Sequence, residues 1–246
     1  MTKLGCSMKI LGVLLGVMIV ASRSHAQTRP LIVEQLAKTY GLDSYGQIEA
    51  ARYTFNLDLP AQKVSLSRTW TWEPKSGQVT YESKDKDGKP VKVTYNRNQI
   101  NAAPANVKDE IDPNFVNDNY WFIFPFHADW DTSARVTVNE KEKLPIGKGT
   151  ATLVSVKYPA EVGGYTPGDT WNLYVGADGR ITQFVYLRGG TKKPGNVTAT
   201  WAGYKKAGPL LVSTDHRGTA DGKPVRISFS NVAVKLEGSD AWVDAK

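Results

Sequence analysis

From Ala51 onward the side chains alternate in character with a period of two. Ala51, Tyr53, Phe55, Leu57 and Leu59 fall on one face, Arg52, Thr54, Asn56 and Asp58 on the other, and Pro60 ends the run. A two-residue repeat is that of a half-buried β-strand, because successive side chains point to opposite faces of a pleated backbone. The next segment repeats it, with Val64, Leu66, Arg68, Trp70 and Trp72 alternating against Ser65, Ser67, Thr69 and Thr71. One charged residue, Arg68, therefore sits within an otherwise apolar and aromatic face.

Three Asp-Gly dipeptides, Asp87-Gly88, Asp178-Gly179 and Asp221-Gly222, lie between β-rich runs. Asp-Gly supplies the positive φ values of a type I′ turn, which matches the twist of two antiparallel strands. The expected hairpins join 78–84 to 90–96, 170–175 to 180–188, and 210–216 to 224–234. Further strands fit 134–139, 150–158 and 197–204. With 51–59 and 64–72 this makes about eleven strands in mostly meander order, the pattern of an antiparallel sheet or barrel. Ahead of the sheet, Pro30 to Tyr40 reads as an amphipathic helix with proline in its first turn and Gly41 at its end. The regularity breaks at 104–130, where Ala105 to Val116 has helical spacing and the densest aromatic patch of the chain follows, from Tyr120 to Phe126, with Trp130 close behind.

The first 26 residues read as an export signal. Lys3 and Lys9 precede an apolar run from Ile10 to Val20, and Ser24-His25-Ala26 places small residues at minus three and minus one of a cleavage site. The run is too short to span a bilayer, so the expectation is a periplasmic protein cleaved after Ala26 and not integral to the membrane. N-terminal sequencing of the exported protein is expected to start at Gln27. Residues 27–246 are then a single domain, a size common for one all-β unit. The one cysteine, Cys6, lies ahead of the apolar run, where no lipid can be attached, and would not be made if translation starts at Met8. The leader holds Lys3, Lys9 and Arg23 but no acid, which leaves 28 bases against 24 acids, a net charge of +4. Those bases are interleaved with acids, as in Lys84-Asp85-Lys86-Asp87, so a nucleic-acid partner is not expected.

Motifs that carry chemistry are scarce. Downstream of the leader the histidines are His127 and His216. His127-Ala128-Asp129, with Asp131 nearby, has no recognised metal-ligand spacing and reads as a polar turn after an aromatic helix end. Asp215 and His216 are adjacent on a strand and so point to opposite faces. Neither histidine is expected to be essential. The run over 162–169 reads as a turn, because neither a helix nor Gly-Lys-Ser/Thr follows it. Asn196-Val197-Thr198 is formally a glycosylation sequon, of no consequence in a bacterial chain. No catalytic residue, metal or cofactor is expected, although a carboxylate pair drawn from anywhere in the fold would make a hydrolase of it.

Seven tryptophans, at 70, 72, 121, 130, 171, 201 and 242, all follow the leader. They are either wide core residues or the lining of an open apolar cavity. Here the chain resembles the periplasmic lipoprotein-carrier superfamily, the LolA/LolB-like proteins, and more closely secreted bacterial proteins described as outer-membrane lipoprotein-sorting-like. The resemblance rests on Arg68-Thr69-Trp70-Thr71-Trp72, on Asn119-Tyr120-Trp121, and on Gly163-Gly164-Tyr165-Thr166-Pro167-Gly168-Asp169 leading into Leu173-Tyr174-Val175, and it covers most of residues 30–236. It implies a mainly β fold of the α+β kind, an incompletely closed antiparallel β-barrel of about eleven strands wrapped around plugging helices. It further implies an arginine on the sheet that holds a helical lid; Arg52 and Arg68 are both on strands, and only Arg68 shares the apolar face. The site expected on this basis is the mouth of an apolar cavity formed by Arg68, Trp70, Trp72, Tyr120, Trp121, Phe122, Phe124, Phe126 and Trp130. The partner would be an apolar small molecule or lipoprotein acyl chains. The alternative is a non-catalytic structural or protein-interaction module whose aromatics are core.

Overall fold

A computed structural model describes residues 29–160, 167–190 and 195–246. The leader, its cleavage position after Ala26 and residues 162–166 of the glycine-rich turn lie outside these described residues. Helix α1 (Leu31–Thr39) comes first and buries Val33, Leu36 and Ala37. Thirteen strands follow among the described residues: β1 (Ile48–Leu59), β2 (Val64–Glu73), β3 (Gln78–Lys84), β4 (Pro90–Asn96), β5 (Arg135–Lys143), β6 (Thr150–Lys157), β7 (Thr170–Val175), β8 (Ile181–Arg188), β9 (Gly195–Thr200), β10 (Ala202–Ala207), β11 (Leu210–Ala220), β12 (Lys223–Leu236) and β13 (Trp242–Asp244).

They form one antiparallel sheet in the order β4-β3-β2-β1-β12-β11-β9-β8-β7-β6-β5, with β10 beside β11 and β13 beside β12. The end strands β4 and β5 do not pair with each other, so the barrel stays open. The count exceeds the expected eleven for two local reasons. The strand expected over 197–204 keeps one register against β11, Ala199 opposite Gly218 and Ala202 opposite Asp215, but is interrupted at Trp201, whose N–H turns to Thr182 O on β8. Three-residue β13 is too short to show a period.

Only the turn at Asp221-Gly222 has positive φ at both residues, 49° and 77°, as a type I′ turn requires. At the other two Asp-Gly sites glycine alone is left-handed, with φ 79° at Gly88 and 74° at Gly179. There the closing bonds, from Asp85 N–H to Lys89 O and from Gly176 N–H to Arg180 O, enclose three residues instead of two, and the carboxylates of Asp85 and Asp178 accept backbone N–H bonds from Lys89 and Arg180. The expected type I′ geometry thus holds once, while the strands it was to join pair as expected in all three cases.

Register keeps one face of the curved sheet apolar. Phe55 lies opposite Arg68 and Phe229, Trp70 opposite Tyr53 and Tyr81, and Trp171 opposite Val156 and Tyr186. Helix α2 (Asp112–Trp130), entered through a single turn of π-helix at Val107–Ile111, packs on this face. Pro125 has no N–H to give to the helix, and Ile123 leaves helical geometry at φ −125°, ψ 31°, so α2 is two helical segments joined at a kink. The polar turn expected at His127 to Asp129 is instead the last turn of α2. Phe122, Ile123, Phe124, Phe126 and Ala128 are all buried, and so unbroken an apolar run shows no stripe that would mark the helix end in the sequence.

Candidate functional site

Arg68 is the one cation on the apolar face of β2, and its partner comes from α2. Asp118, whose side chain is 0% exposed, accepts bonds from Arg68 Nε at 2.8 Å and Nη2 at 2.6 Å. Trp70 Nε1, two residues along the same face, donates to the same carboxylate at 2.8 Å, and Asn117 Nδ2 adds a fourth bond at 3.0 Å. Burial raises the Asp118 carboxyl above the ordinary carboxylate value; attraction to Arg68 and these hydrogen bonds oppose it without cancelling it. The first segment of α2 is thereby tied to the sheet by a two-bond, charge-assisted contact.

Beside this joint the helix and the sheet do not fill the space between them. A cavity of about 500 Å³ remains. Its floor is Phe55, Leu57 and Leu59 of β1, Val225 and Ile227 of β12, Val197 of β9 and Trp171 of β7; its roof is Pro113, Val116, Tyr120 and Trp121 of α2. Polar groups are few and stand at its margins: Arg68, Asn114, Asn117, Asp169 and Arg188. Asp169, only 2% exposed, is fully engaged, accepting from Tyr186 Oη at 2.9 Å and from the Gly189 N–H at 2.8 Å. An apolar hollow with a handful of converging polar groups, within the ~300–1,000 Å³ usual for small-molecule sites, is a binding geometry. Nothing in it pairs a nucleophile with a base.

Of the nine residues expected at a cavity mouth, Arg68, Tyr120 and Trp121 line this cavity. Trp70, Phe122, Phe124 and Phe126 lie in the core, with Phe124 stacked on Trp171 at 4.1 Å and Phe122 on Tyr53 at 4.2 Å. Trp72 and Trp130 gather around Tyr45 at the far end of α2. A helix turns its residues through 100° steps, so a continuous aromatic run cannot present every ring to one hollow. The cavity residues that the sequence did not single out come mostly from strands far along the chain. Asp169 is marked in the sequence only by its motif, Trp171 only as one of seven tryptophans, and its neighbour across the strand pair, Tyr186, only by its place in an expected strand.

The two histidines sit elsewhere. His216 is fully buried with Nδ1 3.2 Å from Thr200 O, amid Phe184, Trp201 and Phe229. His127 stacks on Tyr120 at 3.8 Å, with Nε2 2.9 Å from Asn119 Oδ1 and Nδ1 3.5 Å from Asp131 Oδ2. Tyr120 and Tyr158 both donate to that same Asp131 oxygen. Burial would raise Asp131, but the bonds from His127 and the two phenols outweigh it and hold the carboxyl below its ordinary value. Among the described residues no three metal-ligating side chains come together.

In fold, the chain is similar to a DUF1329 family protein from Desulfovibrio piger, 9% identical at a TM-score of 0.44, over 86% of this chain and 95% of that one. It is similar also to a LolA superfamily protein from Nitrosomonas europaea, 7% identical at a TM-score of 0.42, over 81% of this chain and 92% of that one. No protein-family model and no curated protein matches the chain. These likenesses concern the path of the backbone. What the site does has to be argued from its own side chains.

Proposed function

We propose that this protein is a non-catalytic binding or carrier protein for an apolar ligand of the acyl-chain type, working in the periplasm and held in no membrane. The observation that carries the reading is the apolar hollow between the concave sheet face and the first segment of α2, large enough for a ligand and left unfilled by the aromatic core around it. Among the described residues no helix is long and apolar enough to cross a membrane. Uptake of a fluorescent fatty acid by the purified mature chain tests the proposal, with organic extraction and mass spectrometry to identify carried lipid. Trp121→Ser, which strips the largest apolar side chain from the roof, is expected to weaken that binding by about 1–3 kcal/mol.

A second reading, a protein-interaction module of the envelope, draws on the burial of Trp70, Phe122, Phe124 and Phe126 as plain core. Wild-type protein that takes up no probe and yields no lipid would decide for it.

A further inference from the structure

We propose that the cavity takes an anionic amphiphile, its chain on the apolar floor and its carboxylate or phosphate on Arg68, an inference that rests on the acyl-ligand reading. A guanidinium has two edges suited to a two-oxygen anion. Asp118 occupies the Nε/Nη2 edge. Nη1 and the second N–H of Nη2 have no partner among the described residues, and the side chain is 14% exposed, so this edge is reachable yet largely shielded from water.

Arg68 also stands where two hollows meet. It and Asn114 line both the apolar cavity and a groove of about 770 Å³ along the start of β2. The groove exists because β3 pairs with β2 only from Thr69 onward, so that the two strands splay before it. Its walls are of the opposite character: Ser65, Ser67, Thr69 and Ser83 contribute hydroxyls, and Lys84, Glu110 and Glu82, the last paired with Lys92, contribute charges of both signs. A molecule lying across this junction meets apolar surface on one side, a donor fork at the threshold and a wet polar groove beyond. That is the polarity profile of a single-headed amphiphile. Donor geometry favours an anion at the threshold: the Nη1/Nη2 edge of Arg68 offers N–H groups without acceptors, whereas Asp169, the acid among the cavity's lining residues, already has both oxygens engaged.

The test compares dodecanoate, dodecyl phosphate, dodecanol and inorganic phosphate by the quenching of fluorescence from Trp121 and Trp171, both of which line the cavity. The wild-type chain is expected to bind the two anionic amphiphiles about tenfold more tightly than the alcohol, and inorganic phosphate not at all at millimolar concentration. Replacing the ion pair by a neutral one, Arg68→Gln with Asp118→Asn, leaves no buried charge unpaired; in that variant dodecanoate and dodecyl phosphate are expected to bind no more tightly than dodecanol. Arg68→Lys, with the charge but no fork, should retain only part of it. Equal wild-type affinity for dodecanoate and dodecanol overturns the anion site and leaves the acyl reading standing, as does a preference that survives in the double variant. Failure of every chain to bind overturns both. Inorganic phosphate binding as tightly as dodecyl phosphate would mark a free-anion site and overturn the amphiphile.

Discussion

Arg68→Ala is expected to lower the unfolding free energy by about 3–5 kcal/mol at neutral pH, measured by urea denaturation, because it strands the buried Asp118 carboxylate without its cation. The loss should depend on pH in a definite direction. Burial already raises this carboxyl above 3.8, so its contribution to stability is full below that value and falls as pH rises through the folded one. Arg68 is the main offset, and removing it raises the carboxyl further. The deficit of Arg68→Ala is therefore largest at pH 7 and shrinks toward pH 4, where a protonated acid needs no partner. Arg68→Met combined with Asp118→Leu should recover only part of the loss: an apolar pair of similar size replaces two charges, but the buried Trp70 N–H is left without its acceptor. A deficit under about 1 kcal/mol that ignores pH would mean that water reaches Asp118 and that the pair ties nothing.

Acid sensitivity between pH 6.5 and about 4 is expected from His216. Burial holds its imidazole down to about 4, against the opposing pull of the Thr200 carbonyl and the charge of Asp215. The neutral ring is thus the folded form, whose stabilisation is complete above 6.5 and is lost as pH falls, because the unfolded chain takes up a proton that the folded chain refuses. The interval corresponds to about 3 kcal/mol. Other shifted acids do not mimic this: Asp131 and Asp215 are lowered from 3.8 and act below the window, and Asp118 works in the opposite sense. His216→Gln, which keeps a donor for Thr200 O, should flatten the urea midpoint across pH 7 to 4. Parallel slopes for wild type and variant would show that the histidine is not the origin.

The strands were legible because their cause is local. Period two and the Asp-Gly turns place β3, β4, β7 and β8 to within a residue, even where the turn type differs from the expected one. The extent of α2 was not legible, since the unbroken apolar run from Tyr120 to Phe126 carries no stripe and the kink at Ile123 depends on packing as much as on Pro125. The joint at Arg68 was half legible. A lone cation on an apolar strand face needs a counter-charge, and Asp118 is an acid two positions before the aromatic run, yet the two lie fifty positions apart and only the fold says that they meet. The cavity is a property of what is left over between surfaces, for which no residue pattern stands.

A sheet that ends without closing leaves two edge strands, and an edge strand is an invitation to another copy of the chain. Pro90 opens β4 without an N–H to offer, and Lys92 stands along it in an ion pair with Glu82. On β5 the pairing with β6 slips between Asn139 and Glu142, where Lys141 takes φ 59° within the charged run Glu140-Lys141-Glu142-Lys143. Such bulged and charged margins resist docking of a further strand. The opening that gives α2 its place against the sheet is also the route by which copies could polymerise edge to edge, and the irregular, highly charged margins work against that route.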